Sequence, residues 1–111
     1  MSVLSELLDR FMNKDADGAS ALFAQDALWS DSCRTGVFGT ENHLIGKEAI
    51  DIYLWNRFIF RTWTIEEAEA VDETSAAIRV KTACAKEPFA AKLSIALTDG
   101  AISRLEIAAA E

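Results

Sequence analysis

The chain has 111 residues, 50% of them hydrophobic, and a formal net charge of −7. That is one domain, residues 1–111, with one modest core, and it is too apolar for a disordered chain. The acidic balance excludes a phosphate-neutralising nucleic-acid binder, and the longest apolar stretch, Ile50 to Phe60, is broken by Asp51, Asn56 and Arg57, well short of the roughly 20 residues that span a bilayer.

Ser2 opens the first predicted helix as its cap, with Val3, Leu4, Leu7, Leu8 and Phe11 on one face at helical spacing. No basic segment followed by an apolar run marks a signal peptide here, so a cytoplasmic protein is expected. Asn13-Lys14-Asp15 breaks the helix, and Asp15 caps a second, short one with Ala19, Leu22 and Phe23 inward. Ala27 to Asp31 reads as a strand, Ser32 to Asn42 as a loop around Gly36 and Gly39, and His43 to Ile45 as a short return strand. Gly46-Lys47-Glu48 opens a third helix that carries Ala49, Ile50, Tyr53, Leu54, Arg57 and Phe58 along one side. Trp55 sits one step off that side and is placed to face a partner instead.

The second half reads as strands. Thr62 to Val71 comes first, and Asp72-Glu73 makes a turn. Ser75 to Ala85 alternates, with Ile78, Val80, Thr82 and Cys84 on one face and Arg79 and Lys81 on the other. Lys86-Glu87-Pro88 turns the chain into Phe89, Ala91, Leu93, Ile95 and Leu97, alternating with polar neighbours. Asp99-Gly100 is a two-residue hairpin signal, and Ile102 to Ala109 is the last strand. In that last strand either Leu105 and Ile107 face the helices, with Arg104 and Glu106 outward, or the reverse, because one residue of register flips every side chain. Arg57, Arg61 and Arg79 read as surface charges. Helices first and an antiparallel meander afterwards imply an α+β fold, three N-terminal helices packed on a strongly curved, mostly antiparallel sheet.

Cys33 and Cys84 fit no metal spacing and read as reduced thiols, and a single His builds no His-rich site, so neither metal nor cofactor is expected. Asp31 is the most informative residue. It alternates onto the face of Trp29 and Ala27, and a carboxylate facing the apolar side is a buried acid, a general base at a pocket, or a strand-end cap for the loop from Ser32 to Thr35. His43 is a second acid–base candidate at the pocket mouth. Glu41 and Asn42 are loop residues able to hydrogen-bond a ligand or simply to turn the chain. Trp29, Phe11, Tyr53, Phe58, Trp63 and Phe89 exceed what a minimal core needs and are candidates to line an apolar pocket.

Several segments resemble the nuclear transport factor 2-like superfamily, which includes SnoaL-like polyketide cyclases, ketosteroid isomerases and limonene epoxide hydrolases. They are Asp17-Gly18, Leu22-Phe23-Ala24-Gln25-Asp26-Ala27, Gly46-Lys47-Glu48-Ala49-Ile50 and Asp99-Gly100-Ala101-Ile102, in family order across nearly the whole chain. The resemblance implies a cone-shaped α+β barrel. It places Asp31 at the position of the isomerases' general base, whereas Leu7 stands where their oxyanion-hole Tyr is and Leu93 near their protonated Asp. No Asp-Arg-Asp set of the epoxide-hydrolase kind is present.

Three readings follow. The chain is a small-molecule enzyme, an isomerase, cyclase or hydrolase, using Asp31 on a small apolar or carbonyl-bearing molecule. Or it is a non-catalytic binding or accessory domain, or a dimerisation module. A homodimer is expected, because superfamily members often pair through the sheet and because Ala76, Ile78, Val80, Leu93, Ile95 and Leu97 exceed what one small core absorbs.

Overall fold

Helix α1 (Val3–Met12) forms as its periodicity dictates. Ser2 Oγ accepts from the Ser5 amide at 3.1 Å, and Leu4, Leu7, Leu8 and Phe11 are buried. The molecule is known from a computed structural model that describes residues 2–31, 42–82 and 87–110. The expected loop from Ser32, with Glu41, Cys33, Cys84 and the Lys86 turn residue, lies outside the described residues. Asp15 caps α2 (Ala16–Ser20) by accepting from the Gly18 amide at 3.0 Å, and its other oxygen pairs with Arg10 at 3.0 Å. A methyl at Gly18 would collide with that carboxylate, so the doubly used cap requires glycine there.

Strand β1 runs Phe23–Asp31 and so begins at Phe23 instead of Ala27. The cause is non-local. The Ile102 amide donates to Leu22 O at 2.9 Å and Phe23 pairs with Ile102, so the last strand draws Leu22 and Phe23 out of the helix expected to hold them. Strand β2 (Asn42–Ile45) returns antiparallel, and α3 (Lys47–Ile59) follows from Gly46. Gly46 has φ 98°, a left-handed conformation that glycine adopts without penalty, while its amide donates to Ala27 O at 2.8 Å.

The remaining strands are β3 (Trp63–Ala70), β4 (Ser75–Thr82), β5 (Phe89–Thr98) and β6 (Ala101–Ala109). Asp99 and Gly100 both have positive φ, 53° and 81°, as a primed hairpin turn requires. The six strands lie in the order β2-β1-β6-β5-β4-β3, antiparallel at every pair except β1 with β6. The architecture is α+β, three helices on a mostly antiparallel sheet. β2 and β3 are its edges and do not pair, so the sheet is open, not a closed barrel.

The helices meet one face of this sheet. Leu105 and Ile107 are buried there, which settles the last strand's register, and Arg104 pairs with Glu106 on the other face. Ala76, Ile78, Val80, Leu93 and Ile95 are also buried in the core, and Leu97 alone of the six apolar residues offered for a dimer is exposed. The sequence argument for a surplus apolar face therefore fails, because one core absorbs it. No described helix is long and apolar enough to cross a membrane.

Candidate functional site

Parallel pairing of β1 with β6 sets Asp31 opposite Ile107. Antiparallel pairing then carries the same end of the sheet through the start of β5, the end of β4 and the start of β3, with Val80 opposite Phe89 and Thr82 opposite Trp63. Asp31, Phe89, Thr82 and Trp63 therefore belong to one end of the sheet, although up to 58 residues separate Asp31 from Phe89 in sequence (89 minus 31).

Asp31 has 0% exposure. An isolated carboxylate is costly there, and it survives because donors meet it. Trp29 Nε1 donates to Asp31 Oδ2 at 2.8 Å, and the Tyr53 hydroxyl donates to the same oxygen at 3.0 Å. Strand alternation supplies the first donor, since residues i and i+2 share a face. Helix α3 supplies the second from above. Burial, and next the charge of Asp31, raise the Tyr53 hydroxyl well above its ordinary value, with the Arg57 guanidinium working in the opposite direction. Tyr53 is therefore a neutral hydrogen-bond donor across the physiological range.

One helical turn on, the Arg57 guanidinium lies over the Tyr53 ring, 4.5 Å from its centroid. The sequence reading placed Arg57 with the surface charges. Its spacing of four from Tyr53 was the available signal, because i and i+4 stack on a helix.

The aromatic candidates are brought together. Phe11 meets Trp29, Phe58 and Trp63 at centroid distances of 6.1, 6.5 and 5.4 Å, all edge-on. Trp29 also meets Tyr53 at 5.5 Å and Trp63 at 6.2 Å. Edge-to-face geometry suits the ring quadrupoles and makes this cluster a rigid wall. Phe89 is buried at the same sheet end but makes none of these ring pairs among the described residues.

His43 is separated from Asp31. It pairs in register with Ser30, whose side chain points away from the face of Trp29 and Asp31, and its Nδ1 lies 3.3 Å from Ser30 Oγ in an exposed setting. The same alternation that buries Asp31 turns Ser30 and its partner outward. The sheet thus places His43 on the face opposite to that of Asp31. Glu41 lies outside the described residues, as does the side chain of Asn42. Trp55 is half-exposed and donates through Nε1 to Asp17 Oδ1 at 2.8 Å, which pins α3 to α2.

A surface groove of about 400 Å³ runs between α1 and the far end of β3, lined by Ser5, Leu8, Asp9, Met12, Ala68 and Ala70. Among the described residues no group of three or more His, Cys, Asp or Glu is placed to hold a metal ion.

No family model matches the sequence, and no curated protein matches it. Solved structures do. A cystatin-fold protein from Novosphingobium aromaticivorans is similar at 20% identity and a TM-score of 0.70, covering 96% of this chain and 97% of that one. A proposed polyketide cyclase from Sinorhizobium meliloti is 26% identical with a TM-score of 0.67, over 95% of this chain and 92% of that one. A nuclear transport factor 2-like protein from Cytophaga hutchinsonii is 11% identical with a TM-score of 0.66, over 95% and 84%. Such likeness speaks to architecture, which hosts unrelated chemistries. In fold, this chain is similar to nuclear transport factor 2-like and cystatin-fold proteins.

Proposed function

We propose that the chain is a small-molecule-binding domain whose ligand enters at the sheet end around Asp31, and that Asp31 acts there as general base on a small apolar or carbonyl-bearing molecule. One observation carries the reading. A wholly buried carboxylate is fixed by two donors on one oxygen, beside a wall of aromatic rings. Trp29 and Tyr53 hold the group in a single orientation, which is what proton abstraction needs. Trp29, Phe11, Tyr53, Phe58, Trp63 and Phe89 would line the pocket. The similar structure from Sinorhizobium meliloti is named as a proposed polyketide cyclase, which supports a small-molecule reading.

A non-catalytic binding module is the second reading. It is favoured by the double use of Asp31 Oδ2 by Trp29 and Tyr53. Solvent deuterium incorporation separates the two without knowledge of the substrate. Cyclohexanone and 2-decalone are incubated with the protein in deuterated water, and α-carbon exchange is followed by NMR. Exchange above the buffer rate that disappears in Asp31→Asn, with ketone binding retained, supports the base. Binding with no exchange overturns the base and leaves the module.

The homodimer belongs to this proposal on a different footing from the strand faces. Ile52, Ile59 and Phe60 around the outer side of α3 are 62%, 61% and 70% exposed, and clustered exposed apolar residues mark interfaces. Light scattering at micromolar concentration that returns 12.2 kDa removes it.

A further inference from the structure

We propose that the sheet end around Asp31 takes a small organic monoacid, its carboxylate read by Arg57 and Trp63. This rests on the pocket reading above and names the ligand class.

Among the described residues four side-chain polar atoms are buried with no hydrogen-bond partner: Arg57 Nε, Thr62 Oγ1, Trp63 Nε1 and Thr82 Oγ1. Buried polar groups are nearly always satisfied, so each such group needs an explanation. Here their residues form one run along the backbone and the β3–β4 ladder. The Thr62 amide donates to Arg57 O at 3.1 Å, Trp63 follows Thr62, and Trp63 stands opposite Thr82 on the β3–β4 ladder. Trp63 is 0% exposed and Thr82 3%. Through Arg57 on the Tyr53 ring, and Tyr53 on Asp31, the run joins the site already described.

Their chemistry selects the ligand. A guanidinium Nε–H and an indole N–H donate only, whereas a threonine hydroxyl donates or accepts. The unmet demand is therefore for an acceptor. Charge points the same way. Arg57 has no carboxylate partner among the described residues, in a chain with a net charge of −7, and Tyr53 with Trp29 already occupies Asp31 Oδ2. An arriving anion supplies both the acceptor and the missing charge. A single guanidinium, backed by an indole and two hydroxyls, matches a monoanionic carboxylate better than a phosphate, whose second charge finds no cation in this set. Phe11, Phe58 and Trp29 adjoin Trp63 and offer its apolar body a surface.

Phenylacetate and its uncharged analogue phenylacetamide test this on the intact protein. Binding is followed by tryptophan fluorescence and by the indole N–H resonances, with the Trp63 signal assigned from Trp63→Phe. The expected result is phenylacetate binding about tenfold tighter than the amide, with a shift of the Trp63 resonance. Arg57→Met, which keeps the packing on Tyr53, should abolish the difference, and Arg57→Lys should restore part of it. Equal binding of acid and amide, or an acid preference that survives in Arg57→Met, overturns the ligand class while the pocket stands. Failure of both probes overturns the inference. If cyclohexanone and 2-decalone also fail to bind, the pocket itself is overturned.

Discussion

Tyr53→Phe tests whether the hydroxyl holds the buried carboxylate. The substitution removes one oxygen and keeps the ring, so the 5.5 Å contact with Trp29 and the seat of Arg57 remain. What is lost is a 3.0 Å bond to Asp31 Oδ2 in a site with no solvent exposure. A hydrogen bond to a charged group contributes about 1.5–3 kcal/mol, against roughly 1 for a neutral pair. Asp31 keeps the Trp29 donor at 2.8 Å, so the carboxylate is not orphaned and the lower part of that range applies. The expected loss is about 2 kcal/mol, or about 8 °C in Tm for a domain of this size. Urea unfolding followed by tryptophan fluorescence and circular dichroism measures it, with an unchanged slope against denaturant. Combining the change with Asp31→Asn should show a coupling of about 1 kcal/mol, since the two groups share the bond. A loss under about 0.5 kcal/mol, or strict additivity with Asp31→Asn, would refute the account of how the acid is held.

Two further outcomes are expected. Tyr53 is the single tyrosine, so ultraviolet titration reads it alone. Its folded value is raised above the ordinary 10.0, so above that pH the unfolded chain releases a proton that the native one keeps, and stability falls as pH rises; a native midpoint near 10 would contradict this. Phe11→Ala should cost about 3–5 kcal/mol in the same urea assay, because it opens a cavity at a residue only 1% exposed that three rings meet edge-on; a cost below about 1 kcal/mol would show that the cluster collapses around the gap.

Local rules in the sequence determined much of this molecule. Helical spacing from Val3 to Phe11 with Ser2 as cap, the alternation of Ile78, Val80 and Thr82, and the paired positive-φ residues Asp99 and Gly100 each depend on neighbours a few positions away, and the structure has them. The inward turn of Trp29 and Asp31 was legible for the same reason, as was α3's inward face of Ile50, Tyr53, Leu54 and Phe58. Only tertiary structure decided the rest. The start of β1 at Phe23 depends on a partner strand 79 residues away (102 minus 23), and the register that turns Arg104 and Glu106 outward depends on which face meets the helices. The face that His43 takes depends on a two-strand register, with Ser30 as its partner, which its own segment does not specify. The donor to Asp31 on α3, the Arg57 stack and the unpartnered run from Thr62 to Thr82 arise where separate elements converge. Periodicity fixes which way a side chain leaves its own element, and packing alone fixes what it meets.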